Sequence, residues 1–293
     1  MKRTLVKIAL VVGGVVAAAV IVFGGGVAIA ERALGPGAMH HRMQKFIAGA
    51  VDAAKPDAAQ KKQLEAIRER TMSQMRGMHM GRRGDVQQAL ALFEADTLDG
   101  AKVEQMKSAR MAEMQKAGDT MVAALTEVHD VLRPDQRKAV ADYLRANKPS
   151  HEPGFRGRMM KRMATARIDN LLDEVDANPA QRTAILAARD HVFSVLDENL
   201  ATIDAGLVDK ALKLFEADKI DAAQVAAMRA DHQARVAKVG DAIVQAIHDV
   251  HDALTPAQRG QVVDTIRDHM ARFEQHHGRH GVDGTGPVDA TGQ

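Results

Sequence analysis

The sequence predicts an all-α protein made of two tandem helical units behind an apolar N-terminal segment. Three observations lead there. The chain states one stretch twice: residues 92–145, moved by 122 positions, fall on 214–267 without a gap, and 25 of the 54 positions are identical. Leu-Phe-Glu-Ala-Asp, Gly-Asp, Val-His-Asp and Leu-x-Pro-x-Gln-Arg keep one register in both copies, so the repeat is an internal duplication. The composition excludes other classes of core. Cysteine and tryptophan are absent, Tyr143 is alone and there are seven phenylalanines, which leaves Ala, Leu, Val, Ile and 16 methionines to fill the interior. The third observation is period: beyond residue 30 the apolar positions recur at helical spacing, with few β-branched runs.

Residues 1–30 stand apart from any globular core. Lys2, Arg3 and Lys7 form a basic flank, Ile8 to Ala30 carries no charge, and Ala28-Ile29-Ala30 precedes Glu31-Arg32 as an A-x-A cleavage pattern. A signal peptide fits this pattern, and so does an uncleaved inner-membrane anchor over residues 8–30. The positive flank stays in the cytoplasm in either case and sends the rest outward. Without residues 1–30 the formal net charge moves from +2 to −1. A near-neutral chain without a basic stripe is no general nucleic-acid binder, and the only membrane contact expected runs through residues 1–30.

The first unit is expected over residues 40–147. A helix from His40 to Ala54 stops at Pro56, and a second runs from Ala58 to about Met80. Gly81 to Gly84 reads as a break with Arg82 and Arg83 exposed, and a shorter helix from Asp85 to Ala95 carries Leu90 and Phe93. A long helix from about Asp99 to Leu132 follows, with the stripe Val103, Met106, Arg110, Met114, Ala117, Met121, Leu125, Val128, Leu132. Its counterpart stripe is Val225, Met228, His232, Val236, Val239, Ile243, Ile247, Val250, Leu254. Both are spaced 3, 4, 4, 3, 4, 4, 3, 4, a coiled-coil-like seam. Arg110 and His232 are its only positions polar in both copies, read as edge residues or a polar spot in a groove. A last helix runs from Pro134 to about Asn147. Residues 148–157, with two prolines, read as a linker, 158–273 as the second unit, and 274–293 as a His-rich disordered tail.

Four helix starts share one chemistry. In Thr255-Pro256-Ala257-Gln258 the hydroxyl suits the N-cap, proline the first helical position and Gln258 the return bond of a capping box. Asn178-Pro179-Ala180-Gln181 and Asp57-Ala58-Ala59-Gln60 repeat the logic. Arg133 replaces the capping residue before Pro134 and Gln136, which weakens that start by ~1 kcal/mol.

Leu254-Thr-Pro-Ala-Gln258, and more loosely Leu132-Arg-Pro-Asp-Gln136, resemble the LTxxQ signature of the Spy/CpxP family of bacterial periplasmic proteins. Asp57 to Gln60 and Asn178 to Gln181 sit where that family carries its N-terminal copy of the motif. The departures are Arg133 for threonine and the absence of Leu-Thr from both N-terminal copies. The resemblance implies long antiparallel helices forming a shallow cradle, either as a pseudo-dimer within one chain or as a homo-oligomer. It implies an ATP-independent periplasmic chaperone that holds unfolded or misfolded envelope proteins. For such a cradle the sequence offers soft apolar contacts at Met72, Met75, Met78 and Met80 and basic edges at Arg82, Arg83, Arg158, Lys161 and Arg162. Relatives imply two alternatives: a metal-responsive envelope protein, or a regulatory partner of a sensor-kinase periplasmic domain.

No P-loop, dinucleotide glycine pattern, zinc-protease helix or nucleophile elbow occurs, so no enzyme is expected and no cofactor is required. Zinc or another divalent transition metal is the one ion the sequence invites, at His276, His277 and His280 beside His269. The duplicated His129 and His251, with His248 near the latter, lack a third ligand in sequence and read as buried histidines held by the adjacent Asp.

Overall fold

The computed structural model describes residues 48–77, 82–147, 153–202 and 205–278. The signal or anchor segment lies outside these residues. Among them the chain is helical, without strands, and no helix is long and apolar enough to cross a membrane. A helical stretch over residues 48–54 leads into α1 (Ala58–Gly77), α2 (Arg82–Glu94), α3 (Gly100–Val131) and α4 (Pro134–Ala146). The second half supplies α5 (Pro153–Glu174), α6 (Pro179–Thr202), α7 (Ala205–Glu216), α8 (Ala222–Ala253) and α9 (Pro256–Gly278).

Local chemistry sets the ends. Asp99 caps α3 by accepting from the Lys102 N–H, and Asp221 caps α8 by accepting from Ala223 and Gln224. Those bonds hold both carboxyls below the ordinary aspartate range. Lys55 and Asp176 take left-handed φ values of 46° and 50°, closing the helices before α1 and α6. Gly49 is required by close approach, since a Cβ there would fall on the Tyr143 hydroxyl of α4.

Three boundaries differ from the sequence reading. Helix α5 begins at Pro153, so half of the expected linker is helical; proline suits a first helical turn. Helix α2 begins at Arg82, because arginines are good helix formers and Gly84 falls in the tolerant first turn. Helix α9 continues to Gly278, because no breaker stands between Phe273 and that glycine.

The two halves interlock. Helix α2 of the first half packs on α9 of the second, and α7 of the second packs on α4 of the first. Lys107 Nζ bonds Asp241 Oδ1 at 2.8 Å, and Arg229 pairs with Asp119. These two bridges make α3 and α8 antiparallel, crossing level with Glu113 and Arg235. Each contact recurs with its residues exchanged by 122, the pattern of an isologous interface written inside one chain.

The packing is not symmetric. One large core joins Ile168, Leu172, Ile185, Val192, Ile243, Ile247, Val250 and Val263 of the second half to Val86, Leu90 and Phe93 of α2. Among the described residues the counterpart cluster is built on buried Ala54, Leu132 and Val140, with Leu64, Val128, Leu144 and Phe215 packed against it.

Candidate functional site

The four helix starts meet in pairs. In the first half Gln60 Oε1 accepts the Asp57 N–H and Asp57 Oδ1 accepts the Gln60 N–H, a complete capping box. Gln136 Oε1 accepts the Arg133 N–H at 2.9 Å, but an arginine side chain has no acceptor to answer with. The two glutamine amides then face each other: Gln60 Nε2 donates to Gln136 Oε1 at 2.8 Å and Gln136 Nε2 to Gln60 Oε1 at 3.0 Å. Gln60 also donates to the Val131 carbonyl at the end of α3.

The second half builds the same clasp. Gln181 and Asn178 close a full box, as do Gln258 and Thr255. Gln181 Nε2 reaches Gln258 Oε1 at 2.7 Å and Ala253 O at 2.9 Å, and Gln258 Nε2 reaches Val175 O. These glutamines therefore tie the start of one helix to the turn after the long helix. Their role is architectural.

Arg137 and Arg259, which follow the two later glutamines, are buried and donate to the Leu132 and Leu254 carbonyls. Each also reaches the other half, Arg137 to Asp218 and Arg259 to the Asp96 carbonyl. The sequence reading passed over this pair, although Gln-Arg recurs in register in the repeat.

His129 and His251 are buried where the halves meet. His129 Nε2 donates to the Ala217 carbonyl at 2.8 Å and His251 Nε2 to the Ala95 carbonyl at 3.0 Å. Their Nδ1 atoms face Asp130 and Asp252, and their rings meet Phe215 and Phe93 edge-on. A ring nitrogen that donates to a carbonyl has no lone pair for a metal. His248 leans toward Gly100 at the start of α3. Beside these histidines, Arg145 makes two bonds to Glu216, at 2.7 and 2.6 Å. That guanidinium holds the Glu216 carboxyl below the usual carboxylate range, against the raising effect of burial.

The seam behaves differently in its two copies. On α8, Ile243 and Ile247 are 2% and 9% exposed. On α3 their counterparts Met121 and Leu125 are 44% and 50% exposed, and Met114 is also exposed. At these positions the same spacing is covered in the second copy and open in the first. The reason is the neighbouring helix: aligning Gln181 with Gln60 puts Thr71, Gln74 and Met75 of α1 where α6 has Val192, Val195 and Leu196. Arg110 bonds Glu113 at 2.9 Å beside the crossing of the long helices, and His232 is exposed.

The residues expected to bind a client are scattered. Met72 on α1 is exposed and Met75 half-buried. Helix α1 runs antiparallel to α3 from the Gln60–Val131 bond, which brings Met72 to about the level of Met121. Met78 and Met80 lie outside the described residues. Arg82 and Arg83 lie on the first turn of α2 and Arg158 on the second turn of α5, and their side chains are outside the described part. Lys161 and Arg162 are in the other half, on an open cleft of about 620 Å³ between α5 and α6. There Lys161 pairs with Asp197 and stands 5.6 Å from the Phe193 ring centre.

Of the histidines named for metal, His269 accepts no partner at Nε2 and donates from Nδ1 to the Thr265 carbonyl. His276 and His277 lie on the last turn of α9, and His280 is outside the described residues. Among the described residues no group of three His, Asp or Glu is placed to hold a metal ion.

Residues 42–143 match the model of the LTXXQ motif family protein, the Spy/CpxP type, and the match takes in Gln60 and Gln136 but not the second half. No curated protein matches the chain, and no solved structure does. The family is typically periplasmic and is not known as enzymatic. Residues 42–143, with the paired motif glutamines as their clasp, are thus similar to the LTXXQ motif family.

Proposed function

We propose that this protein is an ATP-independent holding chaperone of the bacterial envelope, acting on unfolded or misfolded proteins in the periplasm. The observation that carries the reading is the open apolar face of α3, where Met121 and Leu125 stand exposed in a helix whose repeat buries the same positions as Ile243 and Ile247, with Met114 also exposed on it. Methionine side chains are flexible and polarisable, so they repack around varied partners at modest affinity. Weak, adaptable contact suits a protein that must also release its client. Similarity of residues 42–143 to a typically periplasmic family supports the compartment, and the apolar N-terminal segment agrees with export.

The test is light scattering from a denatured model protein diluted into buffer with and without the full chain and no nucleotide. Suppression of aggregation at near-stoichiometric amounts is expected. Scattering unchanged at a tenfold excess of the chain would end the chaperone reading. The metal-responsive and kinase-partner readings would then take its place.

A further inference from the structure

Thioethers are the only sulfur in this chain, which has 16 methionines and no cysteine. Three of the described methionines stand exposed: Met72 at 43%, Met114 at 37% and Met121 at 44%. Met114 and Met121 are seven residues apart and share one face of α3, with Leu125 one turn beyond. The repeat carries no sulfur at the matching places. Moved by 122 positions, Met114 and Met121 become Val236 and Ile243, and with Gln60 aligned on Gln181, Met72 becomes Phe193. Where the seam keeps sulfur in both copies, at Met106 and Met228, the side chains are half-buried, and Met106 packs against the large core. Helix propensity does not select methionine for the open places, since leucine forms helices as well and stands at Leu125 on the same face.

Exposure decides which sulfur an oxidant reaches and what its oxidation does. A peroxide transfers one oxygen atom to a thioether: an S–O bond forms, the O–O bond breaks, the sulfur is oxidised by two electrons and water leaves. The product is a sulfoxide, a polar acceptor where an apolar group stood. At Met106 or Met270, packed against the core, that acceptor would enter an apolar interior and loosen it. At Met72, Met114 and Met121 it meets water, so the fold is spared and only the character of the surface changes. We propose, building on the chaperone reading, that Met72, Met114 and Met121 are the described sites that peroxide oxidises first, and that their sulfoxides turn off binding of apolar clients at α3 while the chain stays folded.

The test treats the full chain with hydrogen peroxide for increasing times, quenches with free methionine, and locates the added oxygen by peptide mass spectrometry. Met72, Met114 and Met121 are expected to gain oxygen about tenfold faster than Met106 and Met270. At the time when only the three are oxidised, the melting temperature should stay within ~2 °C of the untreated chain. The same sample should need about fivefold more protein to suppress light scattering from a denatured model protein. The control is M72F/M114V/M121I, which carries the repeat's own residues and keeps the surface apolar. It should suppress aggregation equally before and after peroxide. M72L/M114L/M121L repeats the control with a strong helix former at each site. Equal oxidation rates at all five methionines overturn the sites. The switch is overturned if oxidised wild type suppresses as before, if the controls lose activity as the wild type does, or if oxidation of the three lowers the melting temperature sharply. The two readings fail separately. If oxidation changes nothing and the untreated chain suppresses aggregation, the switch is wrong and the chaperone reading stands. If the untreated chain suppresses nothing, the chaperone reading and the switch fall together, and the oxidation rates alone decide the sites.

Discussion

Replacing Gln136 by alanine is the sharpest test of the clasp. Gln136 is 2% exposed. Its amide makes two bonds with Gln60, at 2.8 and 3.0 Å, accepts the Arg133 N–H, and lies 3.5 Å from the Lys55 carbonyl. Three good hydrogen bonds at ~1 kcal/mol each give a loss of about 3 kcal/mol, with the long contact adding little. At ~2–4 °C per kcal/mol for a chain of this size, the melting temperature should fall by roughly 6–12 °C. Urea unfolding followed by circular dichroism at 222 nm measures the free energy directly. A double-mutant cycle with Q60A separates the pair from the caps: the two losses should fail to add by ~1–2 kcal/mol, because either substitution alone already breaks both inter-glutamine bonds. Gln136→Glu sharpens the argument, since it keeps the shape but turns the donor into a second acceptor facing Gln60 Oε1. It should destabilise at neutral pH and recover as acid protonates the carboxyl. A Q136A loss under ~0.5 kcal/mol, or strict additivity in the cycle, would refute the clasp.

Two further outcomes follow from the same geometry. Arg145 lowers the folded-state pKa of Glu216, so this pair's stability is present above the unfolded carboxylate pKa of ~4.3 and is lost as pH falls through the lower folded value. The stability difference between E216Q and the wild type, about 1 kcal/mol at pH 7 for a partly exposed bidentate pair, should therefore shrink steadily below pH ~4 in urea titrations. Zinc binding, read by calorimetry on the full chain and on one ending at Phe273, should reside in residues 274–293. Truncation should leave nothing tighter than ~0.1 mM, or ~5–6 kcal/mol, and retained tight binding would locate the site on the described helices instead.

Helix identity was legible because it is a local property. Pro134, Pro179 and Pro256 mark starts, Asp99 and Asp221 cap the long helices, and the 3–4 spacing runs through both copies. The capping boxes were legible for the same reason, since cap and glutamine are three residues apart. What the motif glutamines do beyond their own helix was not, because Gln60 and Gln136 are 76 residues apart and their pairing depends on how the helices dock. His129 shows the same limit. The adjacent Asp130 could be read from the chain, but the Ala217 carbonyl that fixes the ring lies across the fold.

The sequence by itself determined an all-α chain, its repeat at 122 residues, the LTxxQ-type starts and the absence of any recognisable catalytic motif. All of these rest on interactions within a few residues, or on comparing the chain with itself. Only the tertiary structure decided that the halves interlock through α2 and α7, and that Ile243 and Ile247 of the seam are covered while Met121 and Leu125 are open. Identical spacing cannot reveal this difference. Met121 and Ile243 occupy the same place in the pattern, and their burial is set by side chains far away in sequence: valine and leucine on α6, threonine and glutamine on α1.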